Sequence, residues 1–286
     1  MIIDAHTHRY PEEVISDPIK FAKQRGEELW LQMVAPQGRP SLQGWAERKR
    51  MLADMETAGV NQCVLLGWYW EKYQTCLEAN TWHHQWINQD PDKFIGFLSV
   101  RPDIPNLADY LKQAKEDGFK GIGESHPWAQ GFSLRDKKWL LVMEFASEAG
   151  WPVNFHVTDP SGRDHPGKTL TPMEEILWLA KEFPDLKIIL AHAGALFPID
   201  HPTPPNIYYD LAACPLLYDA HIYQKLIDCA GQKKIIWGSD YPLRIYPAIS
   251  SQPDFLSFLK EFKSSVHLDE EQLENVLGKN IENLLK

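Results

Sequence analysis

His6 and His8 stand one residue apart in the opening stretch MIIDAHTHRYP, a spacing that turns both side chains to one face of a strand. Two imidazoles aimed into one space can chelate a metal ion, although a chance pair near a terminus gives the same pattern. Other histidines and acids raise the odds of a metal site. His156 lies near the end of the apolar run PVNFHV (152–157), and His192 ends KIILAH (187–192). Asp240 ends IIWGSD (235–240), and Glu124 ends FKGIGE (119–124). An imidazole or charge at the end of a buried apolar run needs a partner, because an unpaired polar group there is costly.

Imidazole and carboxylate without thiolate suit Zn²⁺, Fe²⁺, Mn²⁺ or Co²⁺, and disfavour Ca²⁺ and structural thiolate zinc. Three or four protein ligands with an open position would lower the pKa of a bound water toward about 7. Hydrolysis is the direct chemical consequence. Asp240, ligating through one oxygen, would keep the other free to take a proton from that water.

The elements that must position these groups are short apolar runs alternating with amphipathic segments, the signature of a parallel sheet covered on both faces. The remaining runs are IIDAH (2–6), QCVLLG (62–67), FIGFLSV (94–100) and IYYDLA (207–212), making eight in all. Eight βα units predict a (β/α)₈ TIM barrel over residues 1–286 as a single domain, with a doubly wound open sheet as the alternative. In a barrel the six polar residues share the C-terminal face, where active sites are built. Thr171-Pro172-Met173-Glu174 predicts a capping box with Pro172 at the first helical position. That helix carries Ile176, Leu177 and Ala180 on one stripe and stops at Pro184. Asp269 with Gln272 predicts the start of a C-terminal helix whose Leu273, Val276, Leu277, Ile281, Leu284 and Leu285 cover the outside, with Gly278 and Asn280 as break points. The connections 9–42, 158–171 and 241–253 are long enough to act as functional loops.

A net charge of −10 argues against nucleic acid or an anionic membrane as partner. No run approaches a membrane span and residues 1–10 lack a secretory signal, so a cytoplasmic location is expected. Cys63, Cys76, Cys214 and Cys229 show no CxxC spacing and read as small buried hydrophobes. A small-molecule substrate is the expected partner, and a homo-oligomer is left open.

DAHTH at the start, FHV on the fifth run, AHAGA on the sixth and WGSDYP on the eighth resemble the amidohydrolase superfamily. The resemblance is to its amidohydrolase-related branch of metal-dependent hydrolases and decarboxylases, and it extends to the terminal ENVLGKNIENLL. It implies that His6, His8, His156 and Asp240 hold the metal, most often zinc. His192 would ligate the ion or stand beside it to polarise substrate or water, and Asp240 would double as proton shuttle. Some members place a bridging acid or carboxylated lysine after the fourth strand. Glu124 could therefore join the ligands, making two ions instead of one, or instead bond a histidine from behind; Lys120 and His126 are read as structural.

Trp68, Tyr69, Trp70 and Trp128 could wall a planar substrate or simply pack. Arg101, Arg163, His165 and Arg244 could bind a carboxylate, or be solvated charges. The leading expectation is a hydrolase of an amide, ester or lactone. The alternative is a non-oxidative decarboxylase of an aromatic or unsaturated acid, and a metal-binding barrel without catalysis is a third reading.

Overall fold

Strand β1 (Ile3–Thr7) is buried along its whole length, as a strand covered on both faces must be. It is followed by β2 (Gln62–Leu65), β3 (Phe94–Leu98), β4 (Gly121–Ser125), β5 (Val153–Phe155), β6 (Ile188–Leu190), β7 (Ile207–Asp210) and β8 (Ile235–Ile236). The computed structural model describes residues 1–162, 164, 167–245 and 252–286. Its sheet runs from β1 to β8 in sequence order, with every adjacent pair parallel. The seam is drawn together just beyond β8. There Ala5 N–H donates to Trp237 O (3.1 Å), His8 N–H to Tyr241 O (2.7 Å) and Asp240 N–H to His6 O (2.9 Å). Helices connect the strands, so the architecture is a nearly closed (β/α)₈ barrel, and each of the eight apolar runs contains one strand.

Two layers of packing hold it. Outward residues such as Leu65, Leu98, Phe155 and Leu190 pack under the surrounding helices. Inside the barrel, Ile3, Ala5, Val64, Leu66, Phe97, Ile189 and Ile236 form a second cluster, joined by Ile281 and Leu284. This corrects the expectation that the C-terminal helix lies wholly on the outside. Val276 and Leu277 pack outside, whereas Ile281 and Leu284 plug the barrel end opposite the ligand face. The Asp269–Gln272 capping box is present. The chain does not break at Gly278 and Asn280 but widens into a π-helical turn, Asn275–Lys279. Asn280 Nδ2 there donates to Gln232 O and Ile235 O, each at 2.8 Å.

Other local readings also change. The helix Met173–Glu182 is preceded by Pro172 as its N-cap with no side-chain cap. The Thr171 hydroxyl is spent elsewhere, accepting from Thr158 N–H (3.1 Å) and donating to His156 O (3.2 Å). Cys63, Cys76 and Cys214 are buried, but Cys229 is exposed on the helix His221–Ala230. The 9–42 connection is built of three short helices, Glu12–Ser16, Pro18–Arg25 and Glu28–Val34. Among the described residues, no helix is long and apolar enough to cross a membrane.

Phe97 and Gly121 are partners across β3 and β4, and the ring uses the space a side chain at Gly121 would take. A Cβ built there would come within 2.5 Å of the ring. Gly121→Ala is therefore expected to cost about 1 to 3 kcal/mol through overpacking of the barrel interior. A denaturant titration measures this, and an unchanged midpoint would contradict the packing described.

Candidate metal centre

The six residues that end the apolar runs meet at one end of the barrel. His8 Nε2 lies 3.4 Å from Asp240 Oδ1 and 3.9 Å from Glu124 Oε2. His6 Nε2 is 3.9 Å from both Glu124 Oε1 and Asp240 Oδ1. Glu124 Oε1 accepts from His156 Nδ1 (2.8 Å) and lies 3.3 Å from His192 Nε2. His156 Nδ1 is in turn 3.2 Å from His192 Nε2. Two triplets have ligand atoms mutually within 4.8 Å, His6–His8–Glu124 and Glu124–His156–His192, and Glu124 belongs to both.

The rings are aimed by residues that were not among the sequence candidates. Asp210, the last residue of β7, is fully buried and uses both oxygens. Its Oδ2 accepts from His6 Nδ1 (2.9 Å) and Asn154 Nδ2 (2.8 Å), and its Oδ1 from the backbone N–H of His192 (3.1 Å) and Ala212 (3.0 Å). One carboxylate thus orients two histidines from different strands. His8 Nδ1 donates to Leu66 O and His192 Nδ1 to Ala212 O, both at 3.1 Å. Asp4, another buried acid missed in the sequence, accepts from the N–H of His6 (3.0 Å) and of Ser239 (3.1 Å), tying β1 to the segment after β8. Burial pushes its pKa up to about 7. The signal for both was present as an acid inside an apolar run, IIDAH and IYYDLA.

Backbone strain helps to aim His192. From His192 to Leu196 all five residues have φ between 50° and 62°, a left-handed turn that L-residues adopt at a cost. Gly194 meets that conformation cheaply, and any Cβ there would come within 2.8 Å of the Tyr209 ring. Asp240 is also left-handed, at φ 67°.

The donor set fits a divalent ion. Among the described residues, His6 Nε2 is buried and has no hydrogen-bond partner, while the other ring nitrogen is held by Asp210. This is the usual arrangement for a histidine ligand steadied from behind. Two atoms each about 2.1 Å from one ion stand about 3 to 4 Å apart, which matches the separations above. Electrostatics agree. Burial disfavours charge on His6, but Asp210, Glu124 and Asp240 outweigh it and raise its pKa to about 10. Burial alone would raise Glu124, yet His156, His192 and His6 hold it well below the usual carboxylate range. Asp240 is likewise kept low against burial by a hydrogen bond from His8 and by the charges of His6, His8 and His192. His192 is raised because Glu124 and Asp240 overcome its burial, whereas His156 is lowered because burial prevails over Glu124.

The remaining predicted residues divide. Trp68 lies 6.5 Å from His8 and stacks on Tyr69 at 4.1 Å, and Tyr69 is 5.4 Å from His156. His126 stacks on His156 at 5.0 Å, and Lys120 precedes β4. Trp70 instead packs against Phe21 and Trp30 in the outer core. Trp128 Nε1 donates to Glu175 (2.9 Å). Arg101 is spent on Asp103 and on Trp70 O, and Arg244 Nη2 donates to Ser41 O. Arg163 and His165 lie outside the described residues.

Fold and site together define a (β/α)₈ barrel with a site for a divalent metal ion on its C-terminal face. The amidohydrolase family model matches residues 3–286, and the chain belongs to that family, as an enzyme of the amidohydrolase superfamily. It is 25% identical over 256 residues to a 2-amino-3-carboxymuconate-6-semialdehyde decarboxylase of Dictyostelium discoideum, covering 76% of this chain and 68% of that one. It superposes on the 5-carboxyvanillate decarboxylase of Sphingomonas paucimobilis with a TM-score of 0.73 at 17% identity, covering 99% and 98% of the two chains. The 5-carboxyvanillate decarboxylase of Novosphingobium aromaticivorans, complexed with manganese and 4-hydroxy-3-methoxy-5-nitrobenzoic acid, gives 0.70 at 17% identity over 100% and 96%. The expectation of a hydrolase is overturned by these relatives, which are decarboxylases. The manganese in the Novosphingobium structure also leaves the expectation of zinc without support. The same ligand types serve both ions and both reactions, so residue types alone did not separate them.

Two outcomes test the centre. Asp210→Asn should weaken metal affinity about 10- to 100-fold, measured by competition with a chelating dye. Because His6 is held protonated below about pH 10 in the metal-free protein, ion binding at neutral pH must displace that proton. Affinity should therefore rise with pH through neutrality, with proton release seen as a buffer-dependent heat of binding. Binding heats independent of the buffer would contradict the charge assigned to His6.

Proposed function

We propose that the protein is a metal-dependent, non-oxidative decarboxylase of a small unsaturated or aromatic carboxylic acid. The observation that carries this reading is the 25% identity to the Dictyostelium decarboxylase across 256 residues. In such a reaction the C–COO⁻ bond breaks, CO₂ leaves, and the electron pair left on carbon takes up one proton. No water is consumed.

His6, His8, His156 and Asp240 would hold one ion, and manganese is proposed because it accompanies the structural relative described above. The ion would supply positive charge to bind and orient the substrate's oxygens. The rest falls to the side chains. His192 is anchored through Nδ1 to Ala212 O and through its N–H to Asp210, so its Nε2 is fixed toward Glu124. Its pKa is raised by Glu124 and Asp240 against burial, which suits it to hold a proton and deliver it to the carbon losing CO₂. Glu124 Oε1 at 3.3 Å and Asp240 Oδ2 at 4.0 Å favour the charged form of that imidazole, and Asp240 offers a route for returning the proton. A groove lined by Val157, Pro160, Leu170, Met173 and Phe197 follows directly on His156 and suits the apolar body of the substrate. A cytoplasmic location is supported by cysteines that are all unpaired.

Purified protein loaded with Mn²⁺ should release CO₂ from one or more members of a panel of hydroxybenzoic and carboxymuconic acids. Chelation should abolish the release, and Mn²⁺ should restore it better than Zn²⁺. His192→Asn should lower kcat about 10²- to 10⁴-fold while retaining the ion. Opening of lactones in a parallel panel, with no CO₂ from any acid, would sink the reading.

A further inference from the structure

Between the end of β2 and the helix Tyr73–Gln89 lies a small cavity lined by Arg9, Tyr10, Trp68, Trp70, Trp82 and His83. Arg9 directly follows His8, is only 8% exposed, and rests its guanidinium 4.2 Å over the Trp86 ring. Among the described residues, its Nε and Nη1 have no hydrogen-bond partner. The same holds for the buried indole nitrogens Trp68 Nε1 and Trp70 Nε1. Four donor nitrogens, two of them in one charged guanidinium, therefore belong to residues that wall one small space and are left without acceptors among the described residues.

The charge balance points the same way. Arg9 feels Asp90, but both oxygens of that acid are already taken by Arg48, at 2.6 and 2.5 Å. Two cations against one anion leave this group at +1. His83 adds no charge, since burial lowers its pKa to about 4 and its Nδ1 donates to Phe97 O. A buried cation with unsatisfied donors is costly, and a single water would bring two acceptor lone pairs and no charge. A monoatomic anion would answer both deficits, and the space takes little more than a water-sized sphere, too little for an organic acid.

We propose that this cavity is a site for a small monovalent anion such as chloride, held by the Arg9 guanidinium and the indole N–H groups of Trp68 and Trp70. The site is separate from the metal ligands but adjoins them, because Leu66, which also lines the cavity, accepts the His8 Nδ1 hydrogen bond.

Bromide, which scatters anomalously, and thermal melting test it together. Crystals of the full chain soaked in sodium bromide should show an anomalous peak in the cavity. Replacing gluconate with chloride at constant ionic strength should raise the melting temperature by about 3 °C at saturation, an increment lost in Arg9→Met. The wild-type bromide peak does not depend on that variant folding. Three results would overturn the proposal: no bromide peak, equal melting temperatures in chloride and gluconate, or a peak without chloride dependence, which means binding at crystal concentration only. A chloride increment that survives in Arg9→Met would do so too, by placing the anion elsewhere.

Discussion

Glu124 and Asp240 lie a few ångströms from the same imidazoles, both nearly excluded from solvent, and a buried carboxylate is tolerated only where cations or donors face it. Much of the C-terminal face follows from that requirement. Four histidines surround the pair; the acids, with Asp210 behind His6, move His6 and His192 up, while the imidazoles move Glu124 and Asp240 down. A divalent ion among these donors would take over the task that protons perform in its absence.

The barrel makes such convergence affordable by delivering each group on a different strand end. Asp210 then links them, bonding His6 of β1, Asn154 of β5 and the backbone just beyond β6. The left-handed turn from His192 to Leu196 is strain of a kind tolerated at functional sites. It brings the His192 N–H to Asp210 and its ring to Glu124 at once.

The periodicity of the chain made the barrel legible, because parallel strands buried on both faces leave uninterrupted apolar runs. The polar residues closing those runs were equally visible, and the structure brings His6, His8, Glu124, His156, His192 and Asp240 together. Less visible were groups whose role depends on a distant partner. Asp210 and Asp4 look like ordinary strand acids until their hydrogen bonds are drawn. Thr171 has the right spacing for a helix cap, but the loop after β5 claims its hydroxyl. Arg101 and Arg244 read as carboxylate binders or solvated charges, yet Arg101 is bonded to Asp103 and Arg244 Nη2 to Ser41 O. Hydrolysis and decarboxylation share one ligand set, so the difference between them lies in the substrate and not in the residue types.

The seam between the first strand and the segment after the eighth has a consequence for how the molecule is made. His6 and Asp240 are separated by most of the chain, yet the Asp240 N–H bonds the His6 carbonyl and their side chains face one another. A ribosome releases His6 and His8 long before Asp240, so a nascent segment that stops short of Asp240 lacks one side of this pocket. A pocket with all six side chains in place is thus available only to a chain whose first strand has met the segment after the eighth.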